Sequence, residues 1–294
     1  MNRIVVVSDS QFRREEFMIR KVCEEKGIPY VMFNIEKDSL EAMSTDRSVI
    51  FVRGMVKNRL NWLNKITDLE RAGHIMVNKR EVLELCNDKY RTYGRLKDFG
   101  LTQPRTLCVA GMHESIIKEQ IRHAGFEYPM ILKTLEGSYG IGVALLETEN
   151  SVISVAQTLY DKKEDMVLQE YIPTDVDYRA HIIDDEVIGC MAKYATDGDF
   201  RTNYSRGATV QESFITPLEE EHCKRATRAC GTRWGAVDFI PSKNRDIEPP
   251  YILEVNHAPQ TEGIETALAG NRELGDRTNP LINKLVDYFV SIEK

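Results

Sequence analysis

The chain has 294 residues, 42% of them apolar and 29% charged, with a formal net charge of −7. That length allows one large domain or two to three small ones, the lack of any window near ~18 uninterrupted apolar residues excludes a membrane-spanning helix, and the acidic balance argues against broad nucleic-acid binding. Six cysteines (23, 86, 108, 190, 223 and 230) with no CxxC pair, and a first apolar run too short for a signal peptide, lead to the expectation of a reduced, cytoplasmic protein.

Near the N-terminus, RIVVVS (3–8) has the composition of a buried strand. RREEFMIRKVCEEKG (13–27) reads as an amphipathic helix ended by Gly27, with a buried stripe and a solvated charged face. IPYVMFN (28–34), SVIFVRG (48–54) and HIMVN (74–78) read as further strands, so the alternation predicts a small parallel α/β layer. Around 78–88 the pattern turns helical, and a short helix beginning near Asp88 leads into a passage punctuated by Gly100 and Pro104.

From Arg105 onward strands come in adjacent pairs: PMILKT with GVALLE, then MVLQEY, then VDYRAHII with EVIGCMAKY across Asp184 and Asp185. Such hairpins indicate antiparallel sheets. A helix from Pro217 to about Gly231, a hairpin of WGAVDFI and YILEVN, and the amphipathic helix NPLINKLVDYFVSI follow. The expected class is α/β plus α+β, divided into segments 1–87, 88–165 and 166–294.

Three stretches carry candidate chemistry. In KTLEGSYGIGVALLE (133–147) the lysine precedes the glycines and a strand follows them. That order fits neither the P-loop nor the dinucleotide fingerprint, both of which open a helix. A loop with glycines at 137, 140 and 142 is longer than a tight hairpin needs, and reads equally as a flexible turn or as backbone N–H groups offered to phosphate. In the second stretch, Glu254 and Asn256 share one strand face and Asp238 lies on the partner strand, a hard-oxygen set suited to Mg²⁺. An edge hairpin with a wet polar face is the alternative, although Glu254 sits among Ile252, Leu253 and Val255, where an unpaired charge is costly. The third stretch, GDFRTNYSRGA (198–208), with Arg201, Asn203 and Arg206, fits either an anion-gripping loop or a solvated basic one. His181 and Cys190 read as packed core residues.

The order KTLEGSYGIGV, LQEYI, DYR, GDFRTNYSRGA, GAVDFI and LEVNHAPQTEGIE, over about residues 85–265, resembles the ATP-grasp superfamily. Within it, the order is similar to the RimK-type carboxylate–amine ligases, which add glutamate to ribosomal-protein C-termini. The resemblance implies an ATP-grasp fold in which an N-terminal parallel layer precedes two antiparallel-sheet subdomains that clamp ATP. It implies that Lys89 and Lys133 bind the nucleotide phosphates beneath a flap containing Gly137, Ser138, Tyr139 and Gly140. Glu170 and Tyr171 would meet adenine mainly through the backbone, Asp177 the ribose, and Arg201 and Asn203 the phosphates. Arg206, with Arg201, would stabilise the reacting acyl group. Asp238, Glu254 and Asn256 would hold two Mg²⁺ ions, with Mn²⁺ as a substitute.

The implied activity is ATP-dependent amide formation through an acylphosphate, adding glutamate or another amino acid to a protein or peptide C-terminus. The alternatives are a small-molecule ligase of the lysine-biosynthesis, cofactor-glutamylating or peptide-natural-product kind, and a non-catalytic nucleotide-binding module. A homo-oligomer is implied by the same resemblance, and neither membrane nor nucleic acid is expected as partner. Three positions depart from the RimK pattern: His257 and Gln260 replace a small residue and a glycine, and Ala208 replaces a second glycine after Arg206.

Overall fold

The computed structural model describes residues 3–9, 14–43, 46–53, 59–137, 140–196, 200–202, 207–270 and 280–292. The apolar run Ile4–Val7 makes β1 (Ile4–Ser8) a strand buried on both faces. It pairs in parallel with β2 (Tyr30–Asn34) and β3 (Val49–Val52), and β3 pairs with β4 (Ile75–Val77), giving the order β2-β1-β3-β4. The helix α1 (Arg14–Glu25) buries Met18, Ile19, Val22 and Cys23, and Gly27 at φ +65° closes it in a Schellman arrangement with Ile28 N–H on Cys23 O at 2.8 Å. Its charged face is not solvated at the start, contrary to the sequence expectation. Glu15 and Glu16 are 3% and 1% exposed; the Thr261 N–H donates to the first and the Ser8 hydroxyl at the end of β1 to the second. A second helix, α2 (Leu60–Arg71), crosses between β3 and β4.

Next come α3 (Arg80–Asn87) and α4 (Lys89–Asp98), separated only by Asp88. The Asp88 carboxylate accepts from the N–H groups of Tyr90 and Arg91, both at 2.9 Å, which caps α4 and sets Lys89 at its first position. The second sheet comprises β5 (Thr106–Cys108), β6 (Met130–Thr134), β7 (Val143–Leu146) and β8 (Met166–Glu170), in the antiparallel order β5-β8-β6-β7. Two helices that the sequence reading did not separate out, α5 (Glu114–Ala124) and α6 (Glu149–Asp161), pack on it through Ile117, Ile121, Val152 and Ile153.

The third sheet holds β9 (Val176–Ile183), β10 (Glu186–Tyr194), β11 (Thr209–Glu212), β12 (Trp234–Ile240) and β13 (Tyr251–Asn256). Its order is β11-β10-β9-β12-β13. One face is covered by α7 (Pro217–Cys230), which starts with Pro217 behind a Thr216–Glu219 capping box and ends at Gly231, φ +74°. The short α8 (Glu262–Leu268) follows β13, and α9 (Pro280–Ser291) returns to the first layer. Phe51 lies 5.0 Å from Trp234 and 4.9 Å from Phe289, ring centre to ring centre, so residues from both ends of the chain complete one core. Among the described residues, no helix is long and apolar enough to cross a membrane.

Candidate active site

Strand register builds an ionic row across the third sheet. Asp238 of β12 lies directly opposite Glu254 of β13, and Asn256 falls on the same face two residues on. Across the other edge of β12, Asp238 faces Arg179 of β9, which in turn carries Asp177 opposite Lys193 of β10. The Arg179 guanidinium grips Asp238 with both prongs, Nε to Oδ1 at 2.8 Å and Nη2 to Oδ2 at 2.6 Å. Lys193 Nζ sits 2.9 Å from an oxygen of Asp177 and 2.9 Å from Asp238 Oδ1. Burial by itself raises the Asp238 pKa, but Arg179 and Lys193 outweigh it and hold the carboxyl well below its usual range. Burial pushes Asp177 up, against the pull of Lys193 and of the Thr202 hydroxyl that donates to it.

The Asn256 amide donates to Asp238 Oδ2 at 3.0 Å and to Glu254 Oε1 at 2.9 Å. Two carboxylates and an amide within hydrogen-bond reach of one another fit a hard divalent cation once the amide turns its oxygen inward. Among the described residues, no group of three or more His, Cys, Asp and Glu side chains is placed to hold a metal ion.

Two lysines face this row from the other wall. Lys133 stands on β6, and Lys89 donates to the carbonyls of Leu135 at 3.3 Å and Gly137 at 3.1 Å. Burial lowers both lysine pKa values, Glu254 opposes the shift in each, and Lys89 adds to the depression of Lys133. A polyanion between them would relieve that strain. The flap is anchored at its base by Thr134, whose N–H reaches Gly142 O and whose hydroxyl reaches Glu136 O, both at 2.9 Å. Gly142 has φ +76°, and a Cβ there would fall 2.3 Å from Thr134 Oγ1. Gly142→Ala is therefore expected to strain the flap base by roughly 1–3 kcal/mol. The loss would appear as a lower melting temperature and about tenfold weaker Mg·ATP binding; unchanged values for both would show that the flap needs no glycine here.

At the rim, the Glu170 carboxylate is taken by Arg105, whose Nε and Nη2 each lie 3.3 Å from it. Arg201 packs its guanidinium 5.5 Å from the Phe200 ring centre. Every described candidate lies in one cleft between the second and third sheets: Lys89, Lys133, Gly137, Gly140, Glu170, Tyr171, Asp177, Arg201, Asp238, Glu254 and Asn256. Ser138, Tyr139, Asn203 and Arg206 lie outside the described residues. His257 and Gln260 line the same cleft, with His257 Nε2 3.0 Å from Asn87 Oδ1. His181 is fully buried, and burial together with Arg179 pushes its pKa down to about 3, as suits a packed neutral ring.

Sequence reasoning missed Arg179, Lys193, Thr202 and Arg53, all of which line this cleft. A usable signal existed for the first two. Arg179 stands two residues from Asp177 and so shares its face, and Lys193 is the one charge inside the apolar run of IGCMAKY.

The architecture is the ATP-grasp fold. It aligns with PsnB, an ATP-grasp ligase solved with a minimal precursor, over 100% of this chain and 99% of that one, with a TM-score of 0.72 and 19% identity. A RimK domain ATP-grasp protein from Sphaerobacter thermophilus aligns over 98% and 99%, TM-score 0.70, 18% identity. The D-alanine–D-alanine ligase of Bacillus anthracis, solved with ATP, aligns over 99% and 98%, TM-score 0.69, 15% identity. Residues 86–273 match the RimK-like ATP-grasp domain, and the chain belongs to that family. A protein named probable alpha-L-glutamate ligase from Vibrio vulnificus (strain YJ016) is 32% identical over 204 residues. That match takes in 69% of this chain and 65% of the relative, just under two thirds of the relative's length. A protein of the same name from Photobacterium profundum is 28% identical over 279 residues, 90% of each chain.

Proposed function

We propose that this chain is an ATP-dependent carboxylate–amine ligase that joins glutamate, or another amino acid, to the carboxylate of a protein or peptide C-terminus. The observation that carries the reading is the pairing, in one cleft, of the lysines 89 and 133 with the Asp238–Glu254–Asn256 triad. Segments 88–165 and 166–294 would close on ATP, with 1–87 set beside them.

In the first step a carboxylate oxygen of the acceptor attacks the γ-phosphorus, the β–γ bridging bond breaks, and ADP leaves an acylphosphate. The amine nitrogen then attacks the acyl carbon, phosphate departs, and the nitrogen loses its proton as the amide forms. Positioning and charge neutralisation dominate such phosphoryl transfer. Lys89, Lys133 and Arg201 offset phosphate charge, while Asp177 meets the ribose and the backbone at Glu170 and Tyr171 the base. Gly137 and Gly140, with Ser138 and Tyr139, cover the phosphates and exclude water from the acylphosphate. Asn203 joins the phosphate contacts, and Arg206 steadies the acyl group. Asp238, Glu254 and Asn256 would hold Mg²⁺, which would supply further neutralisation of the phosphate charge.

A small carboxylate acceptor is the second reading. It is favoured by His257 and Gln260, which add side-chain volume to the wall where RimK-type ligases carry a small residue and a glycine. Incubation with ATP, Mg²⁺, amino acids and cell extract, followed by mass spectrometry, separates the two by whether the increment falls on a polypeptide or a small molecule. If no amino acid stimulates ADP release with any acceptor, both readings fail.

A further inference from the structure

We infer that the N-terminal parallel layer is a template for the segment 257–261, and that Asn78, Arg53 and Glu15 are positioning residues that fix this wall of the cleft against the amino-acid substrate. The inference rests on the ligase reading above and assigns the N-terminal layer a part in it.

All three side chains leave the same end of the parallel sheet. Arg53 directly follows β3, Asn78 directly follows β4, and Glu15 lies in the first turn of α1, the helix after β1. In open α/β sheets the carboxyl ends of the strands are where ligands are met. Here a piece of the same chain is bound there by its backbone, at every second residue. Asn78 Nδ2 donates to His257 O at 2.7 Å, Arg53 Nη1 donates to Pro259 O at 2.9 Å, and Glu15 Oε1 accepts from Thr261 N–H at 2.7 Å.

The clamp extends beyond these three bonds. Asn78 also donates to Trp234 O at 2.7 Å and accepts from Arg233 N–H at 2.7 Å, so one amide ties the start of β12 to the residue after β13. Arg53 Nη2 lies 3.6 Å from Glu15 Oε2, and its guanidinium carbon stands 5.8 and 5.4 Å from the ring centres of Phe51 and Trp234. Thr261 in turn donates its hydroxyl to Glu265 at 2.7 Å, and Arg14 Nε reaches the same carboxylate at 3.3 Å.

Asn78, Arg53, Glu15 and Thr261 are 2%, 1%, 3% and 0% exposed. Burying polar groups is unfavourable unless each is paired, and joining two layers does not require it, since Phe51, Trp234 and Phe289 already do so. What the polar contacts add is a single backbone path for 257–261. That path places the side chains of His257 and Gln260 in the cleft. Glu254 and Asn256 are held separately by their ladder to β12, so the segment beyond them can shift while the triad stays in place.

The test uses Asn78→Ala and the isosteric Asn78→Asp, which keeps the acceptor for Arg233 N–H but turns an oxygen toward the His257 and Trp234 carbonyls. In both, amide exchange within 257–261 is expected to speed up about tenfold or more. The KM for glutamate, used as the amine probe, should rise about tenfold, while the KM for ATP and the affinity for Mg·AMP-PNP stay within about twofold. Unchanged exchange, or an equal loss of nucleotide affinity, overturns the inference. If Asn78→Ala does not fold, Asn78→Asp and Glu15→Leu, which removes the acceptor for Thr261 N–H, carry the same measurements. A wild-type chain that binds Mg·AMP-PNP but shows no amino-acid-stimulated ADP release points instead to failure of the ligase reading, which the exchange data do not share.

Discussion

Glu254→Gln is expected to lower ADP-forming turnover by about 10³-fold or more while leaving the fold intact. The substitution keeps the shape and removes one charge from the triad. Glu254 contributes little to stability, because its side chain is 36% exposed and its ion contact with Arg179 is long, at 3.8 Å. The melting temperature should therefore move by no more than about 3 °C. A second consequence follows from the lysines. Burial lowers the pKa values of Lys89 and Lys133, and Glu254 is the largest influence opposing it in each case. Phosphate binding needs the ammonium forms, so affinity is lost as pH rises through the lysine pKa values. Without Glu254 those values drop further, and the alkaline loss of nucleotide binding should begin at lower pH than in the wild type. A variant that turns over at the wild-type rate would remove the triad from the chemistry.

What could be read before the structure depended on the range of each interaction. The two-residue period of YILEVN sufficed to place Glu254 and Asn256 on one face, and a hairpin partner sufficed to bring Asp238 opposite. Arg179 and Lys193 needed more, because β9 lies beside β12 across an intervening hairpin and helix, and no local pattern states that order. The burial of Glu15 and Arg53 is hidden from a sequence reading for the same reason. Composition puts such charges at a surface, and Glu15 and Arg53 owe their burial to partners in the segment 257–261, more than two hundred residues away. The omission of α5 is of another kind. Ile117 and Ile121 at four-residue spacing and the left-handed Gly125 behind them are local signals for a helix, set among segments with strand texture. The Thr148 capping box of α6 uses Ser151 in place of the usual Glu or Gln, so its start carried no standard mark.

Asp238→Ala should behave differently from Glu254→Gln although the two carboxylates are cross-strand neighbours. Asp238 is 3% exposed and accepts from Arg179, Lys193 and Asn256. Removing it leaves two buried cations short of a counter-charge, a loss expected to destabilise the chain by about 3–5 kcal/mol as well as stopping turnover. The pH dependence has a definite sign. Arg179 and Lys193 hold the Asp238 pKa below its unfolded value, so its contribution is complete above the ordinary carboxylate range and is lost as pH falls through the folded pKa. Urea unfolding of wild type and variant should then differ most near neutrality and converge in acid. Adding Arg179→Met to Asp238→Ala should recover part of the loss, because an apolar side chain of similar length needs no partner. A gap below about 1 kcal/mol at neutral pH, or one that stays constant into acid, would mean that the ionic row across β10, β9 and β12 is not what holds these strands in place.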